Sequence, residues 1–297
     1  MPLSVIGQFV LLASLWGSSF LFMSLGAVEF GPLATAGMRV GLAMVFLLPF
    51  LLRPAVRSSL MASPRPILFV GLLNSALPFV FFGYAVLHIP TGLTGIINAT
   101  APLTGAFVAW LWLKESPGFW RSIGLAIGFV GVSLLVLGKS GVDASGHLTT
   151  AFNASAFLAM AAGLGATLCY GIAASFTRKH LGHVHPQAMA VGSHIGASIA
   201  LIVPTILFWP SIWPSQQAWA AIGAVALLSS AIAYVLFFKI IAQVGPSKAL
   251  TVTFLVPVFA LFYGAVFLNE VITVWMLMCG AVILIGTALS TGLVRKP

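Results

Sequence analysis

Ten apolar runs, each close to 20 residues long, divide this chain: 4 to 26, 33 to 52, 66 to 87, 91 to 112, 119 to 137, 154 to 176, 187 to 209, 217 to 238, 247 to 267 and 272 to 292. About 20 helical residues cross a hydrocarbon core of roughly 30 Å. Within lipid, only helices and closed barrels satisfy their own backbone hydrogen bonds. Barrel strands alternate in polarity over about ten residues, and runs such as VGVSLLVLG or FLVPVFALF do not alternate. The expected fold is therefore an all-α integral membrane protein with ten transmembrane helices. Composition closes off a water-soluble alternative: with 60% hydrophobic and 6% charged residues and a mean hydropathy of +1.13, too few polar side chains remain to cover a surface.

The few charges orient the helices. With the N-terminus in the cytoplasm, the inner segments hold Arg53, Arg57, Arg65, Lys114, Arg121, Arg178, Lys179, Lys239, Lys248, Arg295 and Lys296, against Lys139 alone outside. That asymmetry is the positive-inside pattern, and it places both termini in the cytoplasm. The net charge of +9 is spread thinly over several loops, so topology explains it and nucleic-acid binding does not. Three residues precede the first apolar run and no small-residue cleavage pattern follows it, so it is read as a retained helix. Cys169 and Cys279 both fall inside expected helices, which implies neither a disulfide framework nor a metal site.

The chain also repeats itself. Residues 257 to 270 read PVFALFYGAVFLNE and residues 102 to 115 read PLTGAFVAWLWLKE, so that Pro102 and Glu115 match Pro257 and Glu270 at a shift of 155. The same shift matches Gly37 and Gly41 with Gly192 and Gly196, Pro49 with Pro204, Trp120 with Trp275 and Gly131 with Gly286, while a shift of 154 matches Trp16 with Tyr170 and Pro32 with Pro186. Two units follow, 1–140 and 141–297, of five helices each. An odd number of helices makes the second unit enter the membrane from the opposite side, giving an inverted repeat. Glu115 and Glu270 then lie just past helix ends on opposite faces, where each carboxylate is expected to complement the N-terminal dipole of the next helix.

The stretch LLASLWGSSF, a proline followed by an arginine in the second helix, and the pair PLTGAFVAWLWLKESPGFWRSIGLAIGFVGVSLLVL and PVFALFYGAVFLNEVITVWMLMCGAVILIGTALS resemble EamA-type members of the drug/metabolite transporter superfamily over nearly the whole chain. The resemblance implies a bacterial inner-membrane exporter of metabolites, with the YddG-type aromatic amino-acid exporters as a related branch. It speaks strongly to fold and weakly to cargo, because the shared motifs are mostly packing motifs. At Ser116 and Pro117 the chain departs from the family, which usually runs from its glutamate directly into the next helix.

Glycine pairs Gly37/Gly41, Gly124/Gly128 and Gly192/Gly196 form small-residue faces that allow close helix packing. Pro78, Pro102 and Pro257 each remove a helical hydrogen bond, and either shape a cavity or mark a tolerated bend.

A substrate site straddling the pseudo-two-fold axis should be lined by repeat-related polar or aromatic residues near mid-membrane. Four pairs qualify: Trp16 with Tyr170, Asn74 with Ser229, Phe79 with Tyr234 and Asn98 with Thr253. Trp16 carries most weight, since the other seven tryptophans lie near helix ends, the interfacial position indoles favour. Each candidate has a packing alternative: a buried indole bonded to a neighbour, or amides joining helices because they are costly to leave unpaired in hydrocarbon. Arg39 is the only basic residue well inside an expected helix, roughly 10 Å along it from Pro32. It either attracts a carboxylate, as intramembrane charges at functional sites do, or it snorkels toward the external face or bonds backbone carbonyls. His194, its repeat partner, is of a type that titrates near neutral pH, and is read as a core histidine with its hydrogen bonds satisfied.

Absences narrow the mechanism. The chain has four acids, Glu29, Glu115, Asp143 and Glu270, none in the middle of an expected helix, whereas buried carboxylates are common in proton relays. Facilitated or exchange transport is therefore expected in preference to proton antiport. There is no phosphate-binding loop, so no ATPase function or ATPase subunit is implied, and neither a cofactor nor a metal. The expected partners are a small-molecule substrate and membrane lipid. An apolar, aromatic cavity with scattered amides suits neutral amino acids with large side chains, or amphiphilic drugs. An intramembrane lipid-acting enzyme is the alternative from another class, but its acid, base or metal cluster is missing, and the loosely spaced His180, His183 and His185 read as an exposed loop. A passive channel is the third reading, which saturable, stereoselective flux would exclude.

Overall fold

The computed structural model describes residues 3–139, 154–244 and 249–291. Among these, every regular element is helical, as backbone in lipid requires outside a barrel. The first half contains α1 (Leu3–Leu47), which runs into a short 3-10 turn (Leu48–Leu52), then α2 (Pro54–Ala62), α3 (Pro64–Gly71), a π-helical segment (Leu72–Ala76), α4 (Leu77–Ala85), α5 (Thr91–Asn98), α6 (Ala101–Leu113) and α7 (Phe119–Lys139). The second contains α8 (Ala154–His180), α9 (Pro186–Leu207), α10 (Gln216–Ala224), a second π-helical segment (Val225–Ile232), α11 (Ala233–Val244), a 3-10 turn (Leu250–Phe254), α12 (Val256–Leu268) and α13 (Val274–Ser290). Among the described residues, eight helical stretches are long and apolar enough to cross a membrane, and Val274–Ser290 is a shorter apolar one. The protein is a multi-span helical membrane protein.

The first of the eight stretches, Val5–Leu52, has 48 residues. It is not straight. Gly31 has φ 72° and ψ 167°, a backbone conformation open to glycine and strained for other residues. Arg39 Nη1 donates to Met23 Sδ at 2.9 Å, although 16 residues of continuous helix would separate those positions by about 24 Å. The chain therefore folds back on itself at Gly31 and Pro32, and the stretch is a hairpin of two helices. The sequence placed no element between the second and third apolar runs, yet α2 forms there. Its buried Val56 and Leu60 pack with Ile67, Leu181 and Ala188, which turns a polar loop into an amphipathic helix.

Irregularities recur at the spacing seen in the sequence. The two π-helical segments each contain one member of the pair Asn74 and Ser229, and left-handed residues end α6 at Lys114 (φ 59°) and α12 at Asn269 (φ 53°), also 155 apart. The helices of the first half pack chiefly on those of the second: α1 against α9, α10 and α12, α4 and α6 against α8, and α7 against α13. Of the expected glycine faces, Gly124 abuts the Ser290 backbone and Gly286 that of Gly128, so α7 and α13 touch main chain to main chain. Gly192 and Gly196 face Ile67 and the Leu68 backbone, and Gly37 faces Thr205, but Gly41 faces open space.

The acids do not serve the next helix, as the sequence suggested. Glu270 accepts hydrogen bonds from the Thr91 and Gly92 amides (2.6 and 3.1 Å), at the N-terminus of α5 in the other half. The helix that follows it, α13, is capped instead by the Thr273 hydroxyl, which accepts from the Met276 amide. Glu115 forms an ion pair with Arg178 at 2.7 Å, and Glu29 accepts from the Ser215 amide and hydroxyl, both at 2.6 Å, where α10 begins. Asp143, Lys248 and both termini lie outside the described residues.

Candidate functional site

Between the halves lies a cavity of about 300 Å³. All nine side chains singled out in the sequence, Trp16, Arg39, Asn74, Phe79, Asn98, Tyr170, Ser229, Tyr234 and Thr253, lie on its wall. Trp16, Arg39, Phe79, Tyr170 and Tyr234 come from regular helices, and the other four from places where regular helix is interrupted or ends. A π turn widens the helix by shifting its hydrogen bonds to i→i+5 and is common at functional sites. In the second π-helical segment the Ser230 hydroxyl donates to the Val225 carbonyl (3.3 Å) while accepting from Arg39 Nε (3.1 Å), and its neighbour Ser229 faces the cavity. In the first, Asn74 Nδ2 donates to the Tyr234 hydroxyl (3.3 Å), joining the halves across the cavity wall. Asn98 ends α5 and Thr253 lies in the 3-10 turn before α12, so this pair too sits where regular helix stops.

The sequence missed Ser19, Phe20, Met23, Phe82, Ala101, Phe237 and Val256, which complete the wall. Two pairs among them, Phe82 with Phe237 and Ala101 with Val256, are also 155 residues apart, so the repeat alone could have found them. Nothing in the sequence separates Phe20 and Met23 from ordinary core residues; they come from the helix face opposite Arg39. The Trp16 and Phe237 rings are 5.2 Å apart, and Phe82 lies 6.2 Å from Tyr170, giving one largely aromatic surface drawn from both halves.

Arg39 is 5% exposed. Its guanidinium does not snorkel: it stacks 3.6 Å above the Phe79 ring and bonds Ser230 and Met23. His194 stands behind the wall, its Nδ1 2.9 Å from the Ala190 carbonyl and its ring edge-on to Tyr234 at 5.2 Å; Nε2 is buried without a hydrogen bond. His183 pairs with Ser63, His185 accepts from the Gln187 amide and His180 stacks on Phe176, so the loop histidines are engaged separately. No group of three metal-ligating side chains occurs among the described residues.

The profile of the EamA-like transporter family matches residues 4–137 and again residues 157–292. The chain belongs to this family. Its relatives include an uncharacterised transporter of Bacillus subtilis, YoaV, 26% identical over 93% of each chain, and an inner membrane transporter of Escherichia coli, YedA, 26% identical over 88% of this chain and 82% of the relative. Escherichia coli RhtA, a threonine/homoserine exporter, is 27% identical over 99% of this chain and 93% of its own. A solved crystal structure superposes with a TM-score of 0.65 at 20% identity, covering 98% of this chain and 97% of the other, which shows a shared fold.

Proposed function

We propose that this EamA-family protein is a secondary exporter of the bacterial inner membrane. It carries small neutral metabolites, foremost amino acids with large or aromatic side chains, by alternating access through the central cavity. In this reading the hairpin at Gly31 counts as two crossings, the chain crosses ten times with both termini cytoplasmic, and units 1–140 and 141–297 are inverted copies whose exchange of conformation opens the cavity to either side. The observation that carries it is the cavity wall, where residues 154 or 155 apart in the chain face one space from both halves. Further support comes from the family, from a relative named as an amino-acid exporter and from another named as an inner membrane transporter. A volume of about 300 Å³ is at the small end for ligand pockets, which run from about 300 to 1,000 Å³, and favours a single amino acid over a drug-sized molecule. Transport is facilitative or by exchange, a reading supported by the absence of any acid among the described residues of the cavity wall.

The test is flux of labelled phenylalanine into liposomes holding the purified protein, with unlabelled threonine and homoserine as competitors and Trp16→Ala as the variant. Saturable phenylalanine flux, lost in the variant, is expected. Flux of threonine with none of phenylalanine would overturn the preference for large side chains, and flux of neither would overturn amino acids as the cargo.

A further inference from the structure

Arg39 holds a full positive charge inside the bundle, and among the described residues no acid on the cavity wall or bonded to it balances that charge. The Ser230 hydroxyl is neutral, the Met23 thioether is a weak acceptor, and the Phe79 ring offers only the partial charge of its face. Three of the chain's four acids are occupied elsewhere, Glu29 at Ser215, Glu115 at Arg178 and Glu270 at α5, and no acid lies on the cavity wall. Ser230 and Met23 take up Nε and Nη1, while Nη2 enters no hydrogen bond with the described residues. A planar guanidinium on a cavity wall, with N–H groups left over from its bonds to Ser230 and Met23, matches a carboxylate in charge and geometry. The same wall offers an ammonium group amides, hydroxyls and ring faces, but no counter-charge.

We propose that Arg39 receives the carboxylate of the cargo and that the cargo's amino group is dispensable. On the premise that the cavity is the transport site, its substrates are amphiphilic monocarboxylates, amino acids being one class of them. A carboxylate on Arg39 leaves the rest of the molecule against Trp16, Phe82, Tyr170 and Phe237. A carboxylate compensates the guanidinium whether or not the molecule also carries an ammonium, whereas an amine or amide would leave it uncompensated.

Ligand-induced thermal stabilisation of the purified full-length protein tests this with six compounds: phenylalanine, 3-phenylpropionate, phenylalaninamide, 2-phenylethylamine, threonine and butyrate. Phenylalanine and 3-phenylpropionate should stabilise at similar concentrations, and the amide and amine should need about ten- to hundredfold more, the range for losing a charged hydrogen bond in a buried site. Arg39→Gln should abolish that preference and Arg39→Lys should weaken it, the charge being kept and the fork lost. The series on the unaltered protein decides the matter even where a variant fails to fold. Equal stabilisation by phenylalanine and its amide overturns the inference while leaving an aromatic cargo standing. Stabilisation by threonine and butyrate without any phenyl compound supports the inference and removes the large-side-chain reading. A strict requirement for the amino group, or no effect from any carboxylate, overturns it.

Discussion

Glu115 and Glu270 occupy equivalent places in the two halves and do different work. Glu270 receives two backbone amides at the start of α5, where the helix dipole favours a negative charge and the amides have no intrahelical acceptor. Glu115 meets Arg178 across a wetter gap, with side chains 42% and 66% exposed, and such pairs contribute about 0 to 1 kcal/mol. We expect Glu270→Gln, which keeps the size and removes the charge, to cost about 1–2 kcal/mol of stability, and Glu115→Gln to cost less than about 1 kcal/mol. Melting temperatures of the two variants in one detergent give the comparison; equal losses would contradict the assignment. The sequence marked both acids as unusual through their scarcity and spacing. It could not show that Glu270 serves α5, because that partner lies 179 residues away and only the tertiary fold brings it near.

At the scale of elements, the crossing of α7 and α13 is a place where side-chain volume is tightly limited. Gly124 and Gly286 each lie against backbone of the opposite helix, and backbone cannot swing aside as a side chain can. Gly286→Leu should push the helices apart and destabilise by about 1–3 kcal/mol, the usual cost of overpacking. Gly41→Ala, whose new methyl meets open space, should stay within about 0.5 kcal/mol of the parent. Thermal unfolding of the two variants separates the cases, and a large loss at Gly41 would refute the packing described. Gly41 belonged to a small-residue pattern visible in the sequence and Gly286 to the repeat, as the match of Gly131, but spacing identifies a position without saying what covers it. The π segments were less legible still. Leu72–Ala76 and Val225–Ile232 read as ordinary apolar helix, since the i→i+5 pattern arises from how a helix meets its neighbours and has no residue signature of its own.

For the whole molecule, duplication is what made the cavity wall readable. Trp16 and Tyr170, or Asn74 and Ser229, stand out only when the two halves are laid over each other, and the structure puts both members of each pair on one surface. Under the transport reading proposed above, the same wall limits how the flux can be driven. A proton-coupled carrier needs a group that changes protonation as access alternates, and at membrane depth this is commonly a carboxylate or histidine. The titratable side chains on this wall are Arg39, Tyr170 and Tyr234, whose types ordinarily keep one protonation state between pH 5 and 8. His194 is separated from the cavity by Tyr234 and tied to the Ala190 carbonyl. Exchange of labelled for unlabelled cargo across liposomes should therefore run at the same rate at pH 6 and pH 8, and His194→Gln should leave that profile flat. An imposed proton gradient should drive no accumulation above the equilibrium set by the cargo itself. Uphill accumulation under that gradient would mean that a proton carrier exists away from the wall, and its loss in His194→Gln would identify the carrier.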